Sequence, residues 1–137
     1  MPYELIDHTS DVGIKVRATD LPGLLCEASR ALFDIMTDLS RVKVCTERDV
    51  SVEGEGFDEL LVRWLNELVF IHEVEGLLFR EFTVRSIGRH GAAGVARGEP
   101  FDEKRHEMKV GIKAVTYHQL KVTCVDGAWE VQVILDI

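Results

Sequence analysis

Carboxylates gather at both ends of this sequence. Asp7 and Asp11 stand near the start, and Asp136 and the α-carboxylate of Ile137 stand at the finish. Oxygen-only donors of this kind suit hard cations such as Ca2+ or Mg2+ and not zinc. The final stretch, 129–137, alternates Trp129, Val131, Val133, Leu135 and Ile137 against Glu130, Gln132, Ile134 and Asp136. That period of two is a half-buried strand. If the strand is paired in a sheet, the Ile137 carboxylate is held beside that of Asp136. Two fixed anions repel unless positive charge sits between them. Two arrangements are open. Either the first loop meets the last strand and the acidic groups share one ion, or Asp11 caps a turn and Asp136 faces solvent.

A second polar group is Lys113-Ala114-Val115-Thr116-Tyr117-His118. It puts a Lys, a Tyr and a His at the end of one strand and the start of the next. In a strand Lys113, Val115 and Tyr117 share one face, and Ala114, Thr116 and His118 the other. The plain reading is a polar strand end. The chemical reading is a metal-dependent phosphoesterase that uses the carboxylates with His118 as acid/base. Other patterns fail on spacing. His72-Glu73 and His106-Glu107 begin like HExxH, but their fifth positions are Gly76 and Val110, so no zinc-protease pair exists. No G-x-S-x-G elbow occurs. The glycines of 88–98 match neither a P-loop nor a dinucleotide loop, and the stretch reads as a flexible connector.

The elements that must position these residues follow from periodicity. An extended opening through Tyr3 and Leu5 leads to a strand in which Val12, Ile14 and Val16 alternate with polar residues. Asp20-Leu21-Pro22 starts a helix, with Asp20 as cap and Pro in the first turn. Its apolar stripe is Leu21, Leu24, Leu25, Ala28, Leu32, Ile35, Met36 and Leu39. Stretches 41–46 and 49–53 read as two short strands joined by Glu47-Arg48. A second helix carries Asp58 and Glu59 in its first turn. It buries Phe57, Leu60, Leu61, Trp64, Leu65, Leu68 and Ile71, and ends at Gly76. The apolar faces of both helices are expected to be taken up by the core. Strands are expected at 78–87, 107–115 and 120–125, and Asp126-Gly127 is a hairpin turn into the last strand. Two amphipathic helices with mostly antiparallel strands give an α+β sandwich, one domain over 1–137.

Composition narrows the function. A net charge of −8 argues against a domain whose main task is gripping phosphate backbones, since that affinity comes from Lys and Arg. An acidic domain instead suits a basic protein partner or cations. The three cysteines, Cys26, Cys45 and Cys124, are odd in number and lack CxxC spacing, which favours reduced thiols over disulfides or zinc. The start has no basic signal-peptide region and no apolar run approaches a membrane span. The expected location is the cytoplasm, with no membrane partner.

In combination, several motifs resemble the archease family. They are His8-Thr9-Ser10-Asp11, Asp20-Leu21-Pro22-Gly23-Leu24, Gly98-Glu99-Pro100-Phe101-Asp102, Lys113 to His118, and Leu135-Asp136-Ile137. They occur in the family's order across nearly the whole chain. The resemblance implies a small cytosolic protein that is not itself an enzyme. It would activate an RtcB-type tRNA-splicing RNA ligase, promoting its guanylylation and multiple turnover. It implies a metal site made of Asp11, Asp136 and Ile137, holding Ca2+ or another hard divalent cation such as Mg2+ or Mn2+. His8, Lys113 and His118 fall in family motifs, where they would contact the partner or shape the site. Ser10 replaces the commoner Ala. The competing readings are the phosphoesterase and a general chaperone or interaction module without a functional metal.

Overall fold

The computed structural model describes residues 3–7 and 11–137. Their order is β1 (Tyr3–Asp7), β2 (Asp11–Ala18), α1 (Leu21–Met36), β3 (Thr46–Glu53), α2 (Phe57–Glu75), β4 (Leu77–Ile87), β5 (Gly91–Pro100), β6 (Ala114–Val125) and β7 (Ala128–Asp136). Alternation builds the first sheet. Val12, Ile14 and Val16 lie opposite Leu135, Val133 and Val131 in an antiparallel register. Ile14, Val16, Val131, Val133 and Leu135 are buried in the core, with Val12 packed against it. Flanking strands complete the order β1-β2-β7-β6. Asp126 and Gly127 turn β6 into β7 with φ of 52° and 75°, the pair of positive values that suits a two-residue hairpin. The second sheet has the order β3-β5-β4, also antiparallel.

The helices lie between the sheets. α1 packs against β2 on one side and β4 on the other, and α2 against β6 and β3. A helix covered on two sides must be apolar well beyond one stripe. Accordingly α1 buries Leu24, Leu25, Ala28, Ala31, Leu32, Phe33, Ile35 and Met36. Its start is fixed by the Asp20 carboxylate, which accepts the Gly23 N–H at 2.7 Å. The end of α2 is fixed by Gly76 in the left-handed region at φ 68°. Between the helices, the buried Trp64 donates its Nε1–H to Ser29 Oγ at 3.0 Å, and Ser29 donates to Leu25 O at 2.8 Å. That chain satisfies the one polar atom a buried indole carries. Phe70 and Val74, one turn apart on α2 and outside its expected stripe, remain exposed. No helix among the described residues is long and apolar enough to cross a membrane.

The α+β class with two helices and antiparallel strands holds. Three local expectations do not. The glycine-rich stretch is no flexible connector: from Gly91 it forms β5, the central strand of the second sheet. β4 carries register shifts between Phe79 and Glu81 and between Val84 and Ser86, bulges that push its backbone toward β5. A Cβ on Gly98 would stand 1.8 Å from Leu78 O, and one on Gly94 2.0 Å from Thr83 O. The glycines are there for space. Glu47-Arg48 is likewise no turn, because β3 runs unbroken through it. Both charges have partners: Glu47 pairs with Arg97, and the Arg48 Nε–H donates to Glu75 at 2.8 Å. Finally, 107–113 is not a strand. Its only ladder contact among the described residues is a bridge from Met108 to Thr37.

Candidate metal centre

The register that aligns the core of the first sheet also sets its outward face. Residues directly opposite in an antiparallel pair project to the same side, with Cβ atoms about 4.5–5.5 Å apart. Since Val12, Ile14 and Val16 face the helices, Asp11, Gly13, Lys15 and Arg17 face away. Across from them stand Asp136, Ile134, Gln132 and Glu130. At one end charges match: Glu130 lies 4.0 Å from Lys15 and 3.5 Å from Arg17. At the other end Asp11 stands opposite Asp136, and like charges so placed repel. Asp11 is half-buried and Asp136 exposed. Ile137 follows directly and is half-buried against the core. Among the described residues no three His, Cys, Asp or Glu side chains converge as a metal site.

The rest of the expected site divides. Lys113 is adjacent through its backbone, its N–H donating to Asp136 O at 2.8 Å, while its side chain is exposed. Ala114 is the partner of Asp136 on β6. His118 lies four residues further on, roughly 13 Å along a strand rising about 3.3 Å per residue. It sits in the stretch between Thr116 and Lys121 where β6 slips out of register with β7. That separation removes His118 from reach of the two carboxylates and disfavours the phosphoesterase reading. His8 lies outside the described residues.

One contact at this end has no signal in the sequence. Asn66, on α2, donates its Nδ2–H to Val115 O and accepts the Val115 N–H at Oδ1, both at 2.8 Å. β6 is the edge of its sheet there, and Asn66 stands in for the missing neighbour strand.

A second polar cluster is buried at the end of β5. Glu99 and His106 are each 4% exposed. Glu99 accepts the Lys43 N–H at 2.6 Å and the His106 Nε2–H at 2.9 Å, and pairs with Arg105. The Asp102 N–H donates to His106 Nδ1 at 2.9 Å, which leaves the ring proton on Nε2. Burial pushes the Glu99 carboxyl up. The bonds from Lys43, His106 and Arg105, with the Arg105 charge, outweigh it and hold the group below its ordinary 4.5. A lowered carboxylate stabilises the fold above its unfolded pKa, and that contribution disappears as pH falls through the folded value. Glu99→Gln is therefore expected to lose about 3 kcal/mol at neutral pH. It should also flatten the dependence of stability on pH below about 4.5, checked by urea unfolding across that range.

The model of the Archease protein family matches residues 3–137. The chain belongs to the archease family. The protein archease of Methanopyrus kandleri is 44% identical, covering 100% of both chains. That of Pyrococcus furiosus is 37% identical, covering 98% of each. Among solved structures, the solution structure of Methanobacterium thermoautotrophicum protein 1598 superposes with a TM-score of 0.87 at 37% identity. It covers 99% of both chains. The crystal structure of a Thermotoga maritima archease, described as a possible chaperone, has a TM-score of 0.68 at 20% identity. It covers 96% of this chain and 94% of its own, and speaks for the fold alone.

Proposed function

We propose that this archease-family protein is a metal-binding accessory factor that activates an RtcB-type RNA ligase, promoting its guanylylation and repeated turnover. The observation that carries the reading is the placement of Asp11 directly opposite Asp136 on one face of the sheet. A hard divalent cation, Ca2+ first and Mg2+ or Mn2+ as alternatives, fits this donor set. Asp11 and Asp136 supply carboxylate oxygens, and Ile137 a main-chain oxygen beside them. When bound, the ion would cancel the repulsion between the two anions and bring positive charge to the rim of an otherwise acidic molecule. The chain's own groups do the holding: β2 and β7 fix the carboxylates, and Lys113 anchors the carbonyl of Asp136. Lys113 and His118 are both exposed, and on this reading they contact the partner. The partner is a protein, and direct RNA binding is not the main source of affinity at a net charge of −8.

The test is ligation by the cognate ligase with substrate in excess, with and without this protein. More product than ligase molecules only in its presence is the expected result. An unchanged turnover number overturns the proposal. So does suppression of aggregation of unrelated proteins with no effect on ligation, which would mark a general chaperone.

A further inference from the structure

We propose that Asn66 is a positioning residue for the candidate metal centre, holding the strand start that in turn holds Asp136. The inference rests on the metal-binding reading. Asn66 is the only amide side chain on α2, and its two bonds engage both backbone groups of one residue, Val115. An Asn offers both a donor and an acceptor, which is what a strand edge needs from a neighbour. Val115 is the pivot of this segment. The Lys113 N–H donates to Asp136 O two residues before it, and the adjacent Ala114 is the register partner of Asp136.

Beyond Thr116 the register between β6 and β7 breaks until Lys121, and Gln119 takes a positive φ of 54°. The part of β6 beside Asp136 is thus a short paired segment, cut off from the longer ladder at 121–125. A short isolated segment at a sheet edge has few hydrogen bonds to hold its register. Asn66 supplies two from the rigid helix behind it. With α2 buried between the sheets, the position of Asp136 is tied to the core and not only to its own strand.

Losing Asn66 is expected to leave the fold intact. Asn66 lines an open groove of about 510 Å3 with Val62, Glu67 and Tyr117. Water can enter there and bond to Val115 in place of the amide. What water does not supply is the fixed distance between α2 and β6. Residues that orient a metal ligand from outside the coordination shell typically change affinity by about 10–100-fold.

The experiment is Ca2+ titration by calorimetry on the full chain, well below the melting temperature. The variants are Asn66→Ala, Asn66→Asp, Asp136→Asn and Ser29→Ala. Asn66→Asp keeps the shape but replaces the donor to Val115 O with a charged acceptor, so it serves if the alanine variant does not fold. Ser29→Ala removes a buried hydrogen bond between α1 and Trp64 of α2, leaving both Asn66 bonds to Val115 in place, and so controls for lost stability. Binding at least tenfold weaker in the Asn66 variants, with Ser29→Ala like wild type, is the expected result. Wild-type affinity in folded Asn66 variants overturns the inference, as does an equal loss in Ser29→Ala. In both cases the metal reading stands, provided Asp136→Asn has lost binding. If the wild-type chain binds no Ca2+, or Asp136→Asn binds as wild type does, the metal reading itself fails and takes this inference with it.

Discussion

Asp136→Asn is expected to abolish stimulation of the ligase while leaving the metal-free protein at least as stable as wild type. The sign follows from the register. Asp136 stands opposite Asp11, and a like-charge pair in that position costs roughly 0.2–1 kcal/mol. Removing one charge relieves the repulsion without removing packing, because Asp136 is exposed at the strand end. With cation present the order reverses. At a concentration a hundred times its Kd, an ion bound only to the native state adds about 2.7 kcal/mol. The variant, with one charged ligand fewer, forgoes most of that increment. Thermal melts with and without Ca2+ therefore cross: wild type gains with metal and Asp136→Asn does not. Asp11→Asn should likewise forgo the gain with Ca2+, since it removes the other charged ligand of the proposed site. A folded Asp136→Asn protein that drives full multiple turnover would end the account.

The largest effect on stability belongs to Gly98→Ala. The added methyl would meet Leu78 O at 1.8 Å, Leu78 C at 2.7 Å and Phe79 Cα at 2.8 Å. All three are backbone atoms, so no rotamer change relieves the contact. β5 lies between β3 and β4, and moving it away from β4 disturbs both ladders. Overpacking by one methylene commonly costs 1–3 kcal/mol. A clash of this depth with a central strand belongs at or above the top of that range, about 3 kcal/mol or more. For a chain of this length that is a fall in Tm of about 10–15 °C. Gly94→Ala faces Thr83 O at 2.0 Å and should behave similarly. A Gly98→Ala protein melting with wild type would show that the bulge in β4 yields easily.

What the sequence reveals, and what it hides, divides along the range of the interactions. The start of α1 at Asp20, the end of α2 at Gly76 and the Asp126-Gly127 turn are set by neighbours a few residues away, and all are readable. So is the alternation of β2 and β7. β5 is not, because its small residues answer bulges in another strand and carry no local periodicity. The charges at Glu47 and Arg48 resemble a turn because their partners, Arg97 and Glu75, are distant in sequence. At the candidate centre, the donor types at Asp11 and Asp136 can be read, but their pairing rests on a register only a folded sheet defines. Asn66 gives no signal, since a polar residue on a helix normally faces water. The Glu99–His106 cluster shows in the sequence only through the motif around Glu99, without its burial.

The pairing of β2 with β7 has a consequence for biosynthesis. These adjacent strands of one sheet are separated by almost the whole chain. At translation speeds of about 5–20 residues per second, β1 and β2 wait several seconds as an unfinished hairpin while the helices and the other sheet emerge. Contacts between such remote segments slow folding, because loop closure must precede any gain from them. The opposed carboxylates therefore come together last, only once β7 has emerged to pair with β2. On the proposed reading, a nascent chain stalled before β7 lacks Asp136 and has no cation site to offer a partner.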